Sequence, residues 1–337
     1  MIVDLRSDTV TKPTPGMLEA MFNAKVGDDV FGEDETVNAL EEKTAKLFGM
    51  EAGIFCPSGT MTNQVAIKCF TQPLDELIAD QTAHVYRYEG GGIAFNSAVS
   101  IRLLNGYRGI ITSEMIEPEI NAENIHYPHT SLVVLENTVN KGGGSCYTLE
   151  QIKPIAALCK DKNLKLHLDG ARIFNALTRT GDKAADYGKY FDGISVCLSK
   201  GLGAPVGSVF LANKEIIKYA RRVRKVFGGG MRQAGFLAAA GIYALDHHID
   251  RLKTDHTHAQ ILGEKLNKCS FVTNVLPIET NIILFDTLQP ASLILNKLNQ
   301  AGIKALSTDK HRIRFVLHLD IQAKQVEQVV NVLSGLH

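Results

Sequence analysis

A lysine set among small residues at the end of an apolar run is the first place in this chain where chemistry could occur. The stretch is Gly193-Ile194-Ser195-Val196-Cys197-Leu198-Ser199-Lys200-Gly201-Leu202-Gly203. At its ordinary pKa of about 10.4 a lysine amine is protonated and a poor nucleophile, but condensation with an aldehyde cofactor stores it as a Schiff base ready for exchange. Read alone, a lysine beside glycine after a strand is an ordinary solvated loop residue. A second apolar run upstream, Leu164-Lys165-Leu166-His167-Leu168-Asp169, ends in a carboxylate followed by Gly170-Ala171-Arg172. In a parallel α/β sheet, ligands sit outside the carboxyl ends of the strands, so Asp169 and Lys200 would face one crevice if their strands are neighbours. The plainer reading of Asp169 is an N-cap for a helix beginning near Ala171.

Together the two residues match the needs of pyridoxal phosphate, whose aldehyde takes a lysine and whose ring nitrogen takes an acidic partner. A third stretch, Phe55-Cys56-Pro57-Ser58-Gly59-Thr60-Met61-Thr62-Asn63, reads as a strand, a tight turn and a helix start. The free N–H groups and positive dipole of such a start suit a phosphate, with Ser58, Gly59 and Thr60 as its contacts, although Ser58 or Thr60 could equally be an ordinary cap. The chain has no GxxxxGK[ST] signature, so a nucleotide P-loop is not supported.

On these residues and on further stretches in the same order the chain resembles the low-specificity L-threonine aldolases, which are fold-type I pyridoxal-phosphate enzymes. The further stretches are Asp4 to Thr11, Val26 to Val30, Leu135-Glu136-Asn137-Thr138, Leu168 to Asn175, Cys197 to Ser208 and Gly228-Gly229-Gly230-Met231-Arg232-Gln233. The resemblance implies cleavage of threonine or allo-threonine to glycine and acetaldehyde. It further implies that Lys200 holds the cofactor, that Asp169 contacts the ring nitrogen and that His84 stacks on the ring. His126 would lie near the substrate hydroxyl, and the base would be His84 or His126. Ser7, Arg172 and Arg314 would bind the substrate carboxylate, with Arg172 also close to the cofactor. Arg232 and the Gly228–Gly230 loop of a neighbouring subunit would reach the phosphate, and Glu89 would lie near the cofactor. The assembly implied is a homotetramer built from dimers with shared sites. Two departures stand out. Phe31 replaces a frequent tyrosine, removing a hydroxyl from the substrate or phosphate region, and Val139 replaces a frequent histidine, expected near the mouth of the site. The rival readings are another activity on the same scaffold, β-elimination or amino-group transfer, and a cofactor-free nucleotide-binding or regulatory α/β protein.

These groups need a scaffold, and alternation in the sequence outlines one. Strand-like runs recur at 53–56, 76–79, 97–103, 132–136, 164–169, 193–198 and 207–212, mostly separated by helical patterns such as 17–24, 36–47 and the segment from Thr60. This predicts an α/β fold: a mostly parallel seven-stranded sheet with helices on both faces, followed by a smaller C-terminal α+β domain. The expected division is an N-terminal arm (1–15), a large cofactor-binding domain (16–247) and a small domain (248–337), the last with strands at 280–285 and 313–317 and helices at 291–300 and from Gln322. Thr148 and Gln151 are spaced as a capping box. At 337 residues with 45% hydrophobic and 21% charged content, the chain has the composition of a soluble globular protein. Its formal net charge is zero, so no overall field favours nucleic acid or an anionic membrane. Asp4, Arg6 and Asp8 interrupt any secretory core at the N-terminus, and no apolar run approaches spanning length, which predicts a cytoplasmic protein. Six cysteines lack CxxC or zinc-like spacing and read as reduced fillers, so no metal site is expected.

Overall fold

A computed structural model describes residues 2–336. Its central sheet is formed by β2 (Ala52–Cys56), β3 (Asp75–Asp80), β4 (Ser100–Leu104), β5 (His129–Glu136), β6 (Lys165–Gly170), β7 (Gly193–Cys197) and β8 (Ser208–Ala212), after a two-residue strand β1 (Val3–Asp4). The spatial order is β2-β8-β7-β6-β5-β3-β4, and only β8 runs against its neighbours. β6 and β7 are therefore adjacent and parallel, as the crevice argument requires, with Asp169 opposite Ser195. Helices cover both faces, which is why β7 and β8 are buried along their whole length rather than on one side. Alternate residues of β5 feed opposite cores: Val133 packs with Leu40, Phe55 and Leu166, whereas Val134 packs with Val65, Ile67 and Phe210.

Four helices precede or flank the site: α1 (Pro15–Phe22), α2 (Glu35–Phe48), α3 (Gly59–Phe70) and the short α4 (His84–Arg87). Thr148 and Gln151 do form the reciprocal capping box of the helix Leu149–Asp161. A second, antiparallel sheet follows: β9 (Val272–Val275), β10 (Ile282–Thr287), β12 (Leu306–Asp309) and β13 (Arg312–Val316), in the order β12-β13-β10-β9, with β11 (Ile303–Lys304) outside it. Its core joins Phe285, Ile313 and Phe315 to Leu262, Leu298 and Val329 of the covering helices. The first residues of the chain belong to this core. β1 pairs in parallel with β11, and Val3 and Leu5 are fully buried there. The chain then crosses to the central sheet, which leaves Ser7 and Asp8 between the two sheets. No helix among the described residues is long and apolar enough to cross a membrane.

Candidate active site

Because β2, β3, β5, β6 and β7 run the same way, their carboxyl ends share one edge, and the chemistry-bearing residues collect there. Asp169, near the end of β6, accepts a hydrogen bond at Oδ2 from Asn63 Nδ2 (2.9 Å) and one at Oδ1 from the Ala171 N–H (3.1 Å). The helix that follows starts at Ile173 with Arg172 at its N-cap and no side-chain cap, so Asp169 is not the N-cap expected from the sequence and its bond to Ala171 closes a local turn. Gly170 follows because a Cβ there would stand 2.4 Å from the Ser195 carbonyl of the adjacent strand. Asn63, on α3, also donates to Glu89 Oε1 (2.9 Å) and faces the buried His167 ring through its own Oδ1 (3.2 Å).

Glu89 is buried and accepts from Gln64 Nε2 (2.7 Å), while its Oε1 lies 2.9 Å from His84 Nδ1. The side-chain donor atoms of His84, Glu89 and Asp169 all lie within 4.8 Å of one another. A carboxylate can only accept, so Nδ1 of His84 carries the ring proton toward Glu89 and Nε2 is left with its lone pair. Burial would depress the His84 pKa, but the Glu89 hydrogen bond and the Asp169 charge override it and raise the pKa. The His84 main-chain N–H donates to Glu136 Oε2 (2.8 Å), and Glu136 is the register partner of Asp169 on β5. Burial, reinforced by the Asp169 charge, pushes the Glu136 carboxyl up to about 7.

These elements enclose a cavity of about 460 Å³ whose wall includes Ser7, His84, Glu136, Asn140, Arg172, Lys200 and Arg314. The two arginines are held differently. Arg172 donates from Nε and Nη2 to the two oxygens of Asp8, both at 2.7 Å, in a buried fork. Burial alone would raise Asp8, but the Arg172 guanidinium holds its carboxyl down at about 2. Arg314, from β13, donates from Nη1 to Asn140 Oδ1 (2.8 Å) and from Nη2 to the Arg6 carbonyl (3.0 Å), and its buried Nε has no partner. Arg314 thus keeps one unpaired N–H, at Nε, whereas Arg172 has a whole bidentate edge committed to Asp8.

The first turn of α3 starts beside this cavity's strand ends, after β2. Ser58 caps it by accepting from the Met61 N–H (3.1 Å). Beside it, a Cβ on Gly59 would stand 3.4 Å from Ser208 Oγ and 3.9 Å from Cys197 Sγ, and that buried serine hydroxyl has no partner. A helix start with free N–H groups at one end, a carboxylate on β6, a lysine after β7 and unpartnered donors at Ser208 and Arg314 fit a phosphorylated pyridine aldehyde and an amino-acid carboxylate.

Not every expected residue meets the others. His126 is exposed on the loop before β5. The cavity lies at the Glu136 end of that eight-residue strand, which is roughly 26 Å long at the usual rise, so His126 of one chain does not reach that chain's own site. Arg232 donates to Asp28 (3.0 Å) with its side chain 56% exposed. The loop before it packs on α3 of the same chain, where a Cβ on Gly229 would meet Met61 Sδ. Val139 is not at the mouth of the site. It is 1% exposed in the core, and its Cγ1 stands 2.4 Å from where a Cβ on Gly109 would be. Phe31 lies on the surface, 74% exposed, away from the cavity wall. Asn63, Glu136, Asn140 and Asp8 were not singled out from the sequence. Asn63, Asp8 and Glu136 lay in stretches quoted for other reasons and Asn140 in none, and nothing in their spacing marks the hydrogen bonds they make.

Comparison with known proteins completes the picture. Residues 4–288 match the model of the beta-eliminating lyase family. The chain is 40% identical to the low specificity L-threonine aldolase of Escherichia coli strain K12, over 97% of each chain. It is 41% identical to low-specificity L-threonine aldolase 1 of Arabidopsis thaliana, over 98% of this chain and 94% of that one. In three dimensions it is similar to the threonine aldolase of Leishmania major, with a TM-score of 0.86 at 22% identity and 98% of each chain covered. A putative L-allo-threonine aldolase from Listeria monocytogenes gives a TM-score of 0.82 at 22% identity, covering 98% of this chain and 95% of that one.

Proposed function

Because the chain belongs to the beta-eliminating lyase family and aligns along almost its whole length with low-specificity L-threonine aldolases, we propose that it cleaves L-threonine or L-allo-threonine to glycine and acetaldehyde. The observation that carries this reading is the convergence of Lys200, His84, Arg172 and Arg314 on one cavity, with Asp169 beside His84. The cofactor, pyridoxal phosphate, would be held by Lys200 at its aldehyde, by Asp169 at its ring nitrogen and by Ser58, Gly59 and Thr60 at its phosphate. When bound, it supplies the sink for the electron pair released as the Cα–Cβ bond breaks.

The chain's own groups do the rest. Arg314 would bind the substrate carboxylate with its remaining N–H groups, with Ser7 beside it, and so would fix the orientation of the substrate about Cα. Arg172, its fork occupied by Asp8, contributes positive charge and its remaining Nη1 edge. His84 accepts the β-hydroxyl proton at Nε2, because Glu89 holds the ring proton at Nδ1. Asp169 would accept a hydrogen bond from the cofactor's ring N–H. Asn63 in turn fixes Asp169 and Glu89 relative to each other. His126 enters this scheme only as a group from a partner subunit, as does Arg232 if it reaches the phosphate. By the same resemblance we assign a homotetramer in the cytoplasm. The test is covalent capture: borohydride treatment of the wild-type protein with pyridoxal phosphate should fix the cofactor to Lys200, and Lys200→Ala should fix none. Capture at another lysine would refute the assignment.

A further inference from the structure

Glu136 is the only carboxylate among the described residues of the cavity wall, and the scheme above gives it no task. It ends β5 and is 5% exposed. Each of its oxygens is taken by the main chain of a different segment: Oε2 accepts from the His84 N–H (2.8 Å) and Oε1 from the Asn140 N–H (2.9 Å). His84 opens α4 and carries the ring assigned as base. Asn140 accepts from Arg314 Nη1 at 2.8 Å, and Arg314 comes from the other sheet. One carboxylate is therefore a single hydrogen bond from the residue bearing the base, and one side chain from the carboxylate clamp. Only a carboxylate accepts at both oxygens, whereas glutamine would turn an NH2 toward one of the two N–H groups. A carboxyl buried this deeply beside Asp169 is costly to ionise, and an apolar residue would fill the space at lower cost but could not anchor either N–H.

We propose that Glu136 is a positioning residue that sets the proton-accepting arm of the site against the carboxylate-binding arm, with Asn140 as its relay to Arg314. The proposal rests on the roles given to His84 and Arg314 above. It separates Glu136 from Glu89: Glu89 orients the His84 ring, and Glu136 fixes the backbone that carries it.

The test uses the full-length protein with pyridoxal phosphate and L-threonine, with melting temperature recorded for every variant. Asn140→Ala should raise KM about tenfold, the effect of one lost hydrogen bond to a charged group, while kcat moves by about twofold or less. Asn140→Asp keeps an acceptor for Arg314 and should bring KM back to within about threefold of wild type. Glu136→Gln should raise KM about tenfold and also lower kcat about tenfold or more, because both arms are released. The double variant Glu136→Gln with Asn140→Ala should raise KM no further than Glu136→Gln alone. Independent KM factors that multiply in the double variant would overturn the proposal. So would a Glu136→Gln protein of unchanged melting temperature whose kcat and KM both stay within about twofold of wild type. If Glu136→Gln does not fold, the Asn140 variants decide, and an unchanged KM in Asn140→Ala overturns the relay. A readout without turnover is the ratio of glycine to ethanolamine affinity, read from cofactor absorbance, since only glycine has the carboxylate. This preference should fall in Asn140→Ala and Glu136→Gln. It tests the proposal even if the wild-type protein releases no acetaldehyde, the result that would instead refute the aldolase reading.

Discussion

At the scale of single residues, the site depends on how each polar group is used before substrate arrives. Glu89 makes His84 a directional base and also raises its pKa. A proton on Nε2 blocks acceptance of the β-hydroxyl proton, so activity should fall as pH drops through the His84 pKa, which lies above the ordinary 6.5. Glu89→Gln removes the negative charge that favours imidazolium. Its acid limb of kcat/KM should therefore move to lower pH, with kcat about tenfold or more below wild type from lost orientation. An acid limb unmoved in this variant would show that another group sets it. Lys200 and Asp169 could be picked out by residue type at the ends of apolar runs, whereas His84, Arg172 and Arg314 came only through the resemblance; the fold brings Lys200, His84, Arg172 and Arg314 to one cavity wall. Glu136, Asn63 and Asn140 were not, because what defines them is a partner far along the chain. Asn140 meets a guanidinium 174 residues away, and no local pattern encodes that.

At the scale of elements, the seven strands of the central sheet were readable because each is a compact apolar run between turn residues, and the observed ends fall close to those expected. The small sheet was read only in part. β10 is mostly apolar and buried and β13 alternates arginines with buried apolar residues, whereas β9 and β12 are partly exposed edge strands with little signal. The pairing of β1 with β11 was invisible for a related reason, since two residues carry no periodicity. Val139 shows the same limit from the other side. The resemblance put this position near the mouth of the site, but its side chain lies in the core. The tight contact between β6 and β7 gives a direct test. Gly170→Ala places a methyl 2.4 Å from the Ser195 carbonyl, and such overpacking between paired strands should destabilise the protein by about 3 kcal/mol. A urea midpoint within error of wild type would contradict the described register.

At the scale of the whole molecule, the N-terminal segment links the two sheets. β1 pairs with β11 beside the small sheet and buries Val3 in its core, and four residues later Asp8 forks onto Arg172 and receives Asn281 Nδ2 at 3.4 Å. Removing one partner of a buried ion pair strands the other charge, so Asp8→Asn should lower stability by about 3 kcal/mol at neutral pH. The sign of the pH dependence follows from a folded pKa of about 2 against an ordinary 3.8. The contribution of Asp8 is complete above pH 3.8 and is lost as pH falls through 2, so wild type and variant should converge in strong acid. Denaturation curves at pH 7 and pH 2.5 measure both, and a gap that stays constant would contradict the pairing. The arm, the two sheets and the cavity together serve one claim, retro-aldol cleavage at a Lys200-bound cofactor. Its most direct test is acetaldehyde and glycine release from L-threonine and L-allo-threonine by purified protein with pyridoxal phosphate. The account predicts equal amounts of the two products and none from Lys200→Ala. A bound cofactor with 2-oxobutanoate or ammonia as product, and no aldehyde, would contradict it.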